Sequence, residues 1–422
     1  MDTNAQVNID LETLTCPITL QVFRDPVIAK DGHVYERAAI VKWIEKHGTS
    51  PLTREPLDVT DLQADEYLKC LAAQRRTSTI SFITQDDTMI LPVTDGNDSG
   101  QWYNTGSMKC ERRSHTSSIL TNGKVLVVGG SSYSAELYDS STGVWTNTGM
   151  TNIERIRHTA STLVNGKVLV AGGDSKRAEL YDPLTELWSN TGSMTDPRSD
   201  HTASSLANGK VLIVGGWGNN RALNSAEVYD PSTGHWIQTG KMTNARSRHT
   251  ASILTNGKVL VVGGGNEWNV WDSAEVYDPS IGFWTKTDKM MTARMEHTAS
   301  ILTNGKVLVA GGRNTGLYFK SAELYDPSTR AWTKTGDMAI ERSEHTASIL
   351  ADGKVLVVGG FGNNGALDSA ELYDPSTGVW TNTSSMAIAR IQHTISTLAN
   401  GKVLVAGGTN FNRYFSSAEL YG

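Results

Sequence analysis

His297–Trp332 reads HTASILTNGKVLVAGGRNTGLYFKSAELYDPSTRAW, and close copies of it fill most of the chain. Seven His-Thr pairs open the copies, at His115, His158, His201, His249, His297, His345 and His393, with spacings of 43, 43 and then 48 residues. A Gly pair follows each His by 14 residues, from Gly129-Gly130 to Gly407-Gly408. Self-similarity at such a period marks an architecture of small units that must stack on one another. Within the copy, His297–Leu302 is β-rich, and Asn304-Gly305 supplies the positive-φ pair of a tight hairpin. Lys306–Gly312 returns as a second strand, ending on glycines where only backbone fits. Ser321–Asp326 alternates as a third strand, Pro327-Ser328-Thr329 turns the chain, and a fourth strand carries Trp332.

The count distinguishes a ring from a row. Seven Ala-Glu pairs, each followed by an aliphatic residue and Tyr, run from Ala135–Tyr138 to Ala418–Tyr421. Seven fourth-strand tryptophans run from Trp102 to Trp380, but Trp102 precedes the first repeat His, and Gly422 follows a third strand. Pairing the surplus strand at residues 101–105 with residues 417–421 would close a ring and remove two open sheet edges. The reading is a seven-bladed β-propeller over residues 100–422. The Gly pair, then Tyr, then Trp seven positions later, resembles the kelch repeat, which implies a kelch propeller.

Residues 10–76 differ in character. Asp25-Pro26 and Asp31-Gly32 bracket the apolar pair Val27-Ile28, which reads as a hairpin. Glu36–His47 has Ile40, Trp43 and Ile44 on one face of a helix that Gly48 can cap, and Glu66–Gln74 reads as a second helix. Cys16-Pro17-Ile18, Asp25-Pro26-Val27, Asp31-Gly32-His33, Tyr35-Glu36-Arg37, Trp43, Ser50-Pro51-Leu52 and Pro56-Leu57 stand in the order of a U-box. The segment resembles that metal-free relative of the RING domain of ubiquitin ligases. It departs from the family at Ala64-Asp65, where Pro-Asn is usual. The fold class expected for the whole chain is a small α+β U-box followed by an all-β propeller, joined by a linker over residues 77–99 that is rich in Thr, Asp and Ser.

The resemblance implies a positioning mechanism, in which the U-box holds a ubiquitin-conjugating enzyme charged with ubiquitin in a reactive pose. Ile18, Leu20 and Pro51 match the family's docking surface for that enzyme. Arg54 matches the Arg that donates hydrogen bonds to enzyme and ubiquitin together. A zinc RING would need eight Cys or His in pairs; residues 10–76 offer Cys16, Cys70, His33 and His47, so polar contacts must replace metal. Cys16 reads as a packed thiol, because no base is placed to activate it.

In the propeller, every repeat His has an Arg three residues earlier, from Arg112 to Arg390. Features present in every blade serve the blade, so both are expected to satisfy buried backbone. A copper-radical oxidase, also found among kelch propellers, needs two His, two Tyr and a Cys; outside the repeat positions this propeller has His235 and Cys110 alone. Variation is confined to the connections after the Gly pairs and to the residue before each repeat His: Ser114, Arg157, Asp200, Arg248, Glu296, Glu344 and Gln392. Aromatics and Arg on loops of a rigid scaffold suit a protein partner. Trp217, Trp268, Trp271, Arg313, Tyr318 and Phe361 are the candidate substrate-binding residues.

With 422 residues, a net charge of −6 and no basic run, the chain shows no sign of binding nucleic acid or membrane. Three cysteines fit no disulfide framework, and the polar N-terminus is no signal peptide. The expectation is a ubiquitin ligase of the cytoplasm or nucleus, with no cofactor, partnered by a charged conjugating enzyme and a protein substrate. The alternative is a non-enzymatic kelch scaffold with an inactive U-box.

Overall fold

The computed structural model describes residues 16–19, 23–64, 100–130 and 132–422. Its contacts divide the chain into two units, 1–93 and 94–422. The second helix expected at Glu66–Gln74, the linker at 77–99, Cys70 and Leu20 lie outside the described residues.

In the first unit, β1 (Pro26–Ile28) pairs antiparallel with β2 (Val34–Glu36) through Val27↔Tyr35, and β3 (Gln63–Ala64) pairs with the other edge of β1. The chain passes directly into α1 (Arg37–His47). Gly48 ends that helix at φ 64°, its N–H donating to the Ile44 carbonyl at 2.7 Å. Such a left-handed position carries a large penalty for most side chains. Ile40 and Ile44 point inward and are buried with Val27, Ala29, Tyr35 and Leu57. Cys16 is fully buried, and its sulfur accepts the Glu36 N–H at 3.2 Å.

The second unit is a ring of seven four-stranded antiparallel sheets. Blade five stands for the rest: Thr298–Ile301, Val307–Ala310, Ala322–Asp326 and Ala331–Lys334, paired in that order. Blade seven takes its fourth strand from the other end of the chain. There β4 (Trp102–Asn104) pairs with Ala418–Tyr421 through Tyr421↔Trp102 and Glu419↔Asn104.

The second strands are apolar throughout because both their faces are covered. Leu260 and Val262 of blade four pack on Val307 and Val309 of blade five, while Val259 and Val261 pack on Leu212 and Val214 of blade three. The period of two therefore sorts side chains between neighbouring blades. The Gly pair ends this strand where blades approach most closely. A Cβ on Gly311 would stand 2.5 Å from the Arg342 carbonyl and 2.7 Å from the His345 ring.

Arg294, fully buried, donates through Nη1 to the Gly311 and Ser321 carbonyls at 2.7 and 2.9 Å, and through Nη2 to Glu323 at 2.9 Å. All seven blades repeat the pair, at Arg–Glu distances of 2.6 to 3.2 Å. The repeat Arg thus satisfies backbone, as its recurrence implied. The repeat His departs from that expectation, because each Nε2 meets a Thr hydroxyl of the preceding blade. His297 reaches Thr250 at 2.9 Å, and His115 closes the circle on Thr394 at 3.1 Å. Burial, with the repeat Arg beside it, keeps each ring neutral; His158, His249 and His393 are pushed down to about 3. Cys110 is disulfide-bonded, which corrects the reading that the three cysteines fit no disulfide framework.

Candidate functional sites

In the first unit a cluster of polar contacts ties two loops together. The Asp31 carboxylate accepts the Ser50 hydroxyl at 2.5 Å, the Tyr35 hydroxyl at 2.8 Å and the His33 N–H at 2.9 Å. Ser50 in turn accepts the N–H groups of Leu52 and Thr53, which fixes the turn that carries Pro51 and Arg54. Burial alone would raise the Asp31 carboxyl, but the Ser50, His33 and Tyr35 hydrogen bonds outweigh it and hold the group below its ordinary value. Burial also pushes the Tyr35 phenol up to about 12, with the Asp31 carboxylate adding to the rise. A second tie holds the start of the hairpin: Glu36 accepts the N–H groups of Arg24 and Asp25, and Arg37 meets Asp25 at 2.8 Å.

These ties position partly exposed apolar side chains and an exposed cation. Ile18 and Pro51 are half-buried, and Leu52, which sequence reasoning did not single out, is 50% exposed. Arg54 is exposed, with a left-handed backbone (φ 64°) and its guanidinium 5.9 Å from the Trp43 ring. Trp43, expected in the helix core, is half-buried and supports that Arg. A non-Gly residue held at positive φ is a strained position of the kind found at functional sites.

On the propeller, one face carries both sets of variable positions. Backbone pairs Met295↔Arg313, Ser343↔Phe361 and Ile391↔Thr409 join the segment before each first strand to the connection after each Gly pair. The residues preceding the repeat His form the channel mouth. All seven have positive φ, between 47° and 56°, and six consecutive N–H to carbonyl bonds of 2.9 to 3.1 Å link them round the ring. Their side chains line a cavity of about 260 Å3. Arg157 and Arg248 share Asp200, and Arg248 also reaches Glu296.

The candidate substrate residues fall on this face with different degrees of freedom. Trp268 is 84% exposed. Trp217 sits in a short hairpin opposite Ala222, at the edge of a groove of about 520 Å3 that also includes Asp200 and Arg248. Trp271 donates its indole N–H to the Ala245 carbonyl at 2.9 Å and so braces its own loop. Arg313 donates to Glu296 at 2.5 and 3.0 Å. Tyr318 and Phe361 meet edge to face at 5.5 Å, and Phe361 meets Phe411 in the same way at 5.1 Å. Phe411, another aromatic of the variable connections, completes this row, and its pairing across blades leaves no trace in a linear pattern.

A U-box domain profile matches residues 12–73, and Kelch motif profiles match residues 197–243, 246–291, 297–339 and 344–387. The zebrafish (Danio rerio) WD repeat, SAM and U-box domain-containing protein 1 is 53% identical over 55 residues, 13% of this chain and 11% of that protein. U-box domain-containing protein 13 of Arabidopsis thaliana is 48% identical over 60 residues, 14% of this chain and 9% of that protein. The E3 ubiquitin-protein ligase LubX of Legionella pneumophila (strain Paris) is 46% identical over 50 residues, 12% of this chain and 21% of that protein. The chain thus spans about a fifth or less of these relatives. A copper-bound fungal alcohol oxidase of the AA5 family shares 19% identity at a TM-score of 0.65, over 77% of this chain and 76% of that one, a likeness of fold alone. Among the described residues no group of three or more His, Cys, Asp or Glu is placed to hold a metal ion, and no helix is long and apolar enough to cross a membrane. Geometry and profiles converge on one description: a U-box domain at residues 12–73 is followed by a seven-bladed β-propeller that contains four Kelch motifs.

Proposed function

We propose that the chain is a RING-type ubiquitin ligase of the cytoplasm or nucleus. Its U-box binds a ubiquitin-charged conjugating enzyme, and its propeller recruits the protein substrate. The observation that carries the reading is Arg54, exposed and held in a strained turn directly after Pro51 and Leu52. Ile18, Leu20 and Pro51 supply the apolar contact, and Arg54 donates to the conjugating enzyme and to ubiquitin at once. A guanidinium suits that task because its five donors are fixed in a plane. The substrate Lys amine attacks the thioester carbonyl and the conjugating-enzyme thiolate leaves; the U-box contributes pose and no covalent bond. Such chemistry needs no cofactor.

Discharge of ubiquitin from a charged conjugating enzyme to free lysine tests this. Ile18→Ala and Pro51→Ala should weaken recruitment. Arg54→Ala should preserve binding and slow discharge, because its donors act in the reactive pose rather than in the encounter. Unchanged rates in all three folded variants would reject the ligase and favour a scaffold that binds partners without catalysis.

A further inference from the structure

Charge round the channel mouth is not balanced evenly. On one side three Arg and two carboxylates alternate in a chain: Arg157 with Asp200 at 3.5 Å, Arg248 with Asp200 at 3.4 Å and with Glu296 at 2.9 Å, and Arg313 with Glu296 at 3.0 Å. The other side holds Glu344, Gln392 and Ser114. Glu344 accepts the Gln392 amide at 2.7 Å, and Gln392 accepts the Ser114 hydroxyl at 3.0 Å. Among the described residues, no Lys or Arg nitrogen lies within 4.0 Å of the Glu344 carboxylate. Burial raises the Glu344 carboxyl above its ordinary value and Glu296 adds to the rise, which outweighs the Gln392 hydrogen bond and the charges of Arg248 and Arg157 beyond contact distance. A half-buried carboxylate in this state gains strongly from a cation. An incoming anion gains little, because each Arg at the mouth already holds a carboxylate.

The surface just outside Glu344 is apolar. Its neighbour Ser343 is joined to Phe361 by two backbone bonds of 2.9 and 2.8 Å. Phe361 is the centre of the Tyr318–Phe361–Phe411 row, which crosses the loops of blades five, six and seven. Phe411 ends that row 64% exposed and at φ 70°, a conformation disfavoured for a bulky residue.

We propose that this face takes one Lys or Arg side chain of its protein partner into the channel mouth against Glu344, with an adjacent apolar or aromatic side chain on the Phe361–Phe411 row. The cavity of about 260 Å3 has room for one long side chain. The inference deepens the substrate-recruitment reading and rests on it.

The test is selection of the full-length protein against a displayed peptide library. One position is fixed as Arg, Lys, Gln or Glu, and its neighbour as Phe, Leu, Ser or Asp. Wild type should enrich Arg and Lys over Gln about tenfold, the ratio expected of one charge-assisted hydrogen bond, with Phe or Leu beside them. Glu344→Gln should abolish the preference for a cation and keep the apolar one. Glu344→Asp should retain both, and Phe361→Ala should lose only the apolar one. Enrichment of acidic peptides, no enrichment, or the wild-type pattern from Glu344→Gln would overturn the inference. The selection does not depend on the U-box. Normal discharge with no cation preference therefore rejects this inference alone, and cation preference with no discharge rejects the ligase alone.

Discussion

In the U-box one polar cluster, Asp31 with Ser50 and Tyr35, ties two loops together and occurs once. In the propeller the Arg–Glu cluster is buried in every blade, seven times over. The same physics holds both, since a buried charge is tolerated when it is paired and hydrogen-bonded, as Arg294 is through both Nη atoms, although its Nε is left without a partner. What differs is how structure separates from function. In the propeller, whatever recurs serves the blade, and whatever changes from blade to blade is free for recognition. The U-box offers no such internal control: Asp31, which holds a turn, and Arg54, which projects from one, look equally polar in a single copy.

The largest effect is expected from breaking one blade cluster. Arg294→Met removes the donor to Gly311, Ser321 and Glu323 together, and leaves Glu323 buried with only the Met291 and Thr292 N–H groups. A cost of about 3–5 kcal/mol follows from stranding a buried charge. It should appear as a lower denaturant midpoint of the propeller, followed by tryptophan fluorescence. Adding Glu323→Leu should recover only part, because the two carbonyls still lack a donor. A cost below about 1 kcal/mol would mean that the recurrent pair is incidental to the blade.

In the U-box the corresponding change is smaller. Asp31→Asn weakens the acceptor for Ser50, Tyr35 and His33 and should cost about 1–3 kcal/mol. Faster amide exchange over residues 26–57 of the full chain would report it. The sign with pH follows from the direction of the shift. The folded carboxyl lies below its unfolded value, so its contribution is present above about pH 3.9 and is lost as pH falls toward the folded value. Asp31→Asn should flatten that acid loss. An unchanged acid slope would place the stability of these loops elsewhere.

Much of this arrangement is legible in the residues because periodicity is a physical consequence of packing. Asn304-Gly305 and the run Val307–Ala310 identify a hairpin and a strand covered on both faces before any coordinates are known. The buried Glu323 is less legible. Alternation along Ser321–Asp326 reads Leu324 as set between outward-facing residues, whereas Glu323 is buried and Leu324 only partly so; the reason lies in Arg294, many residues away. Its cue was present, since the Arg and the Ala-Glu pair recur together seven times. The Phe361–Phe411 contact has no such cue, because it joins loops of two different blades whose approach is set by the ring. The support of Trp43 for Arg54 is hidden for the same reason: an amphipathic helix pattern assigns an aromatic to the core and does not show what lies over its edge.

The smallest effect on stability should come from Arg313→Gln, and it sharpens the contrast between recurrent and variable charges. Arg313 and Arg294 both hold a Glu, but the Arg313 side chain is 27% exposed, whereas that of Arg294 is fully buried. Water screens the first pair, and Glu296 keeps Arg248 at 2.9 Å when Arg313 is gone. The expected cost is therefore about 0.5 kcal/mol or less, within the noise of the denaturant midpoint. Recognition should move in the other direction. One cation fewer at the mouth leaves Glu296 less neutralised beside Glu344, so the peptide selection should favour Arg and Lys more strongly than in wild type. A stability loss comparable to that of Arg294→Met would show that a charge present in one blade can brace the fold as firmly as a recurrent one, and the division drawn between them would fail.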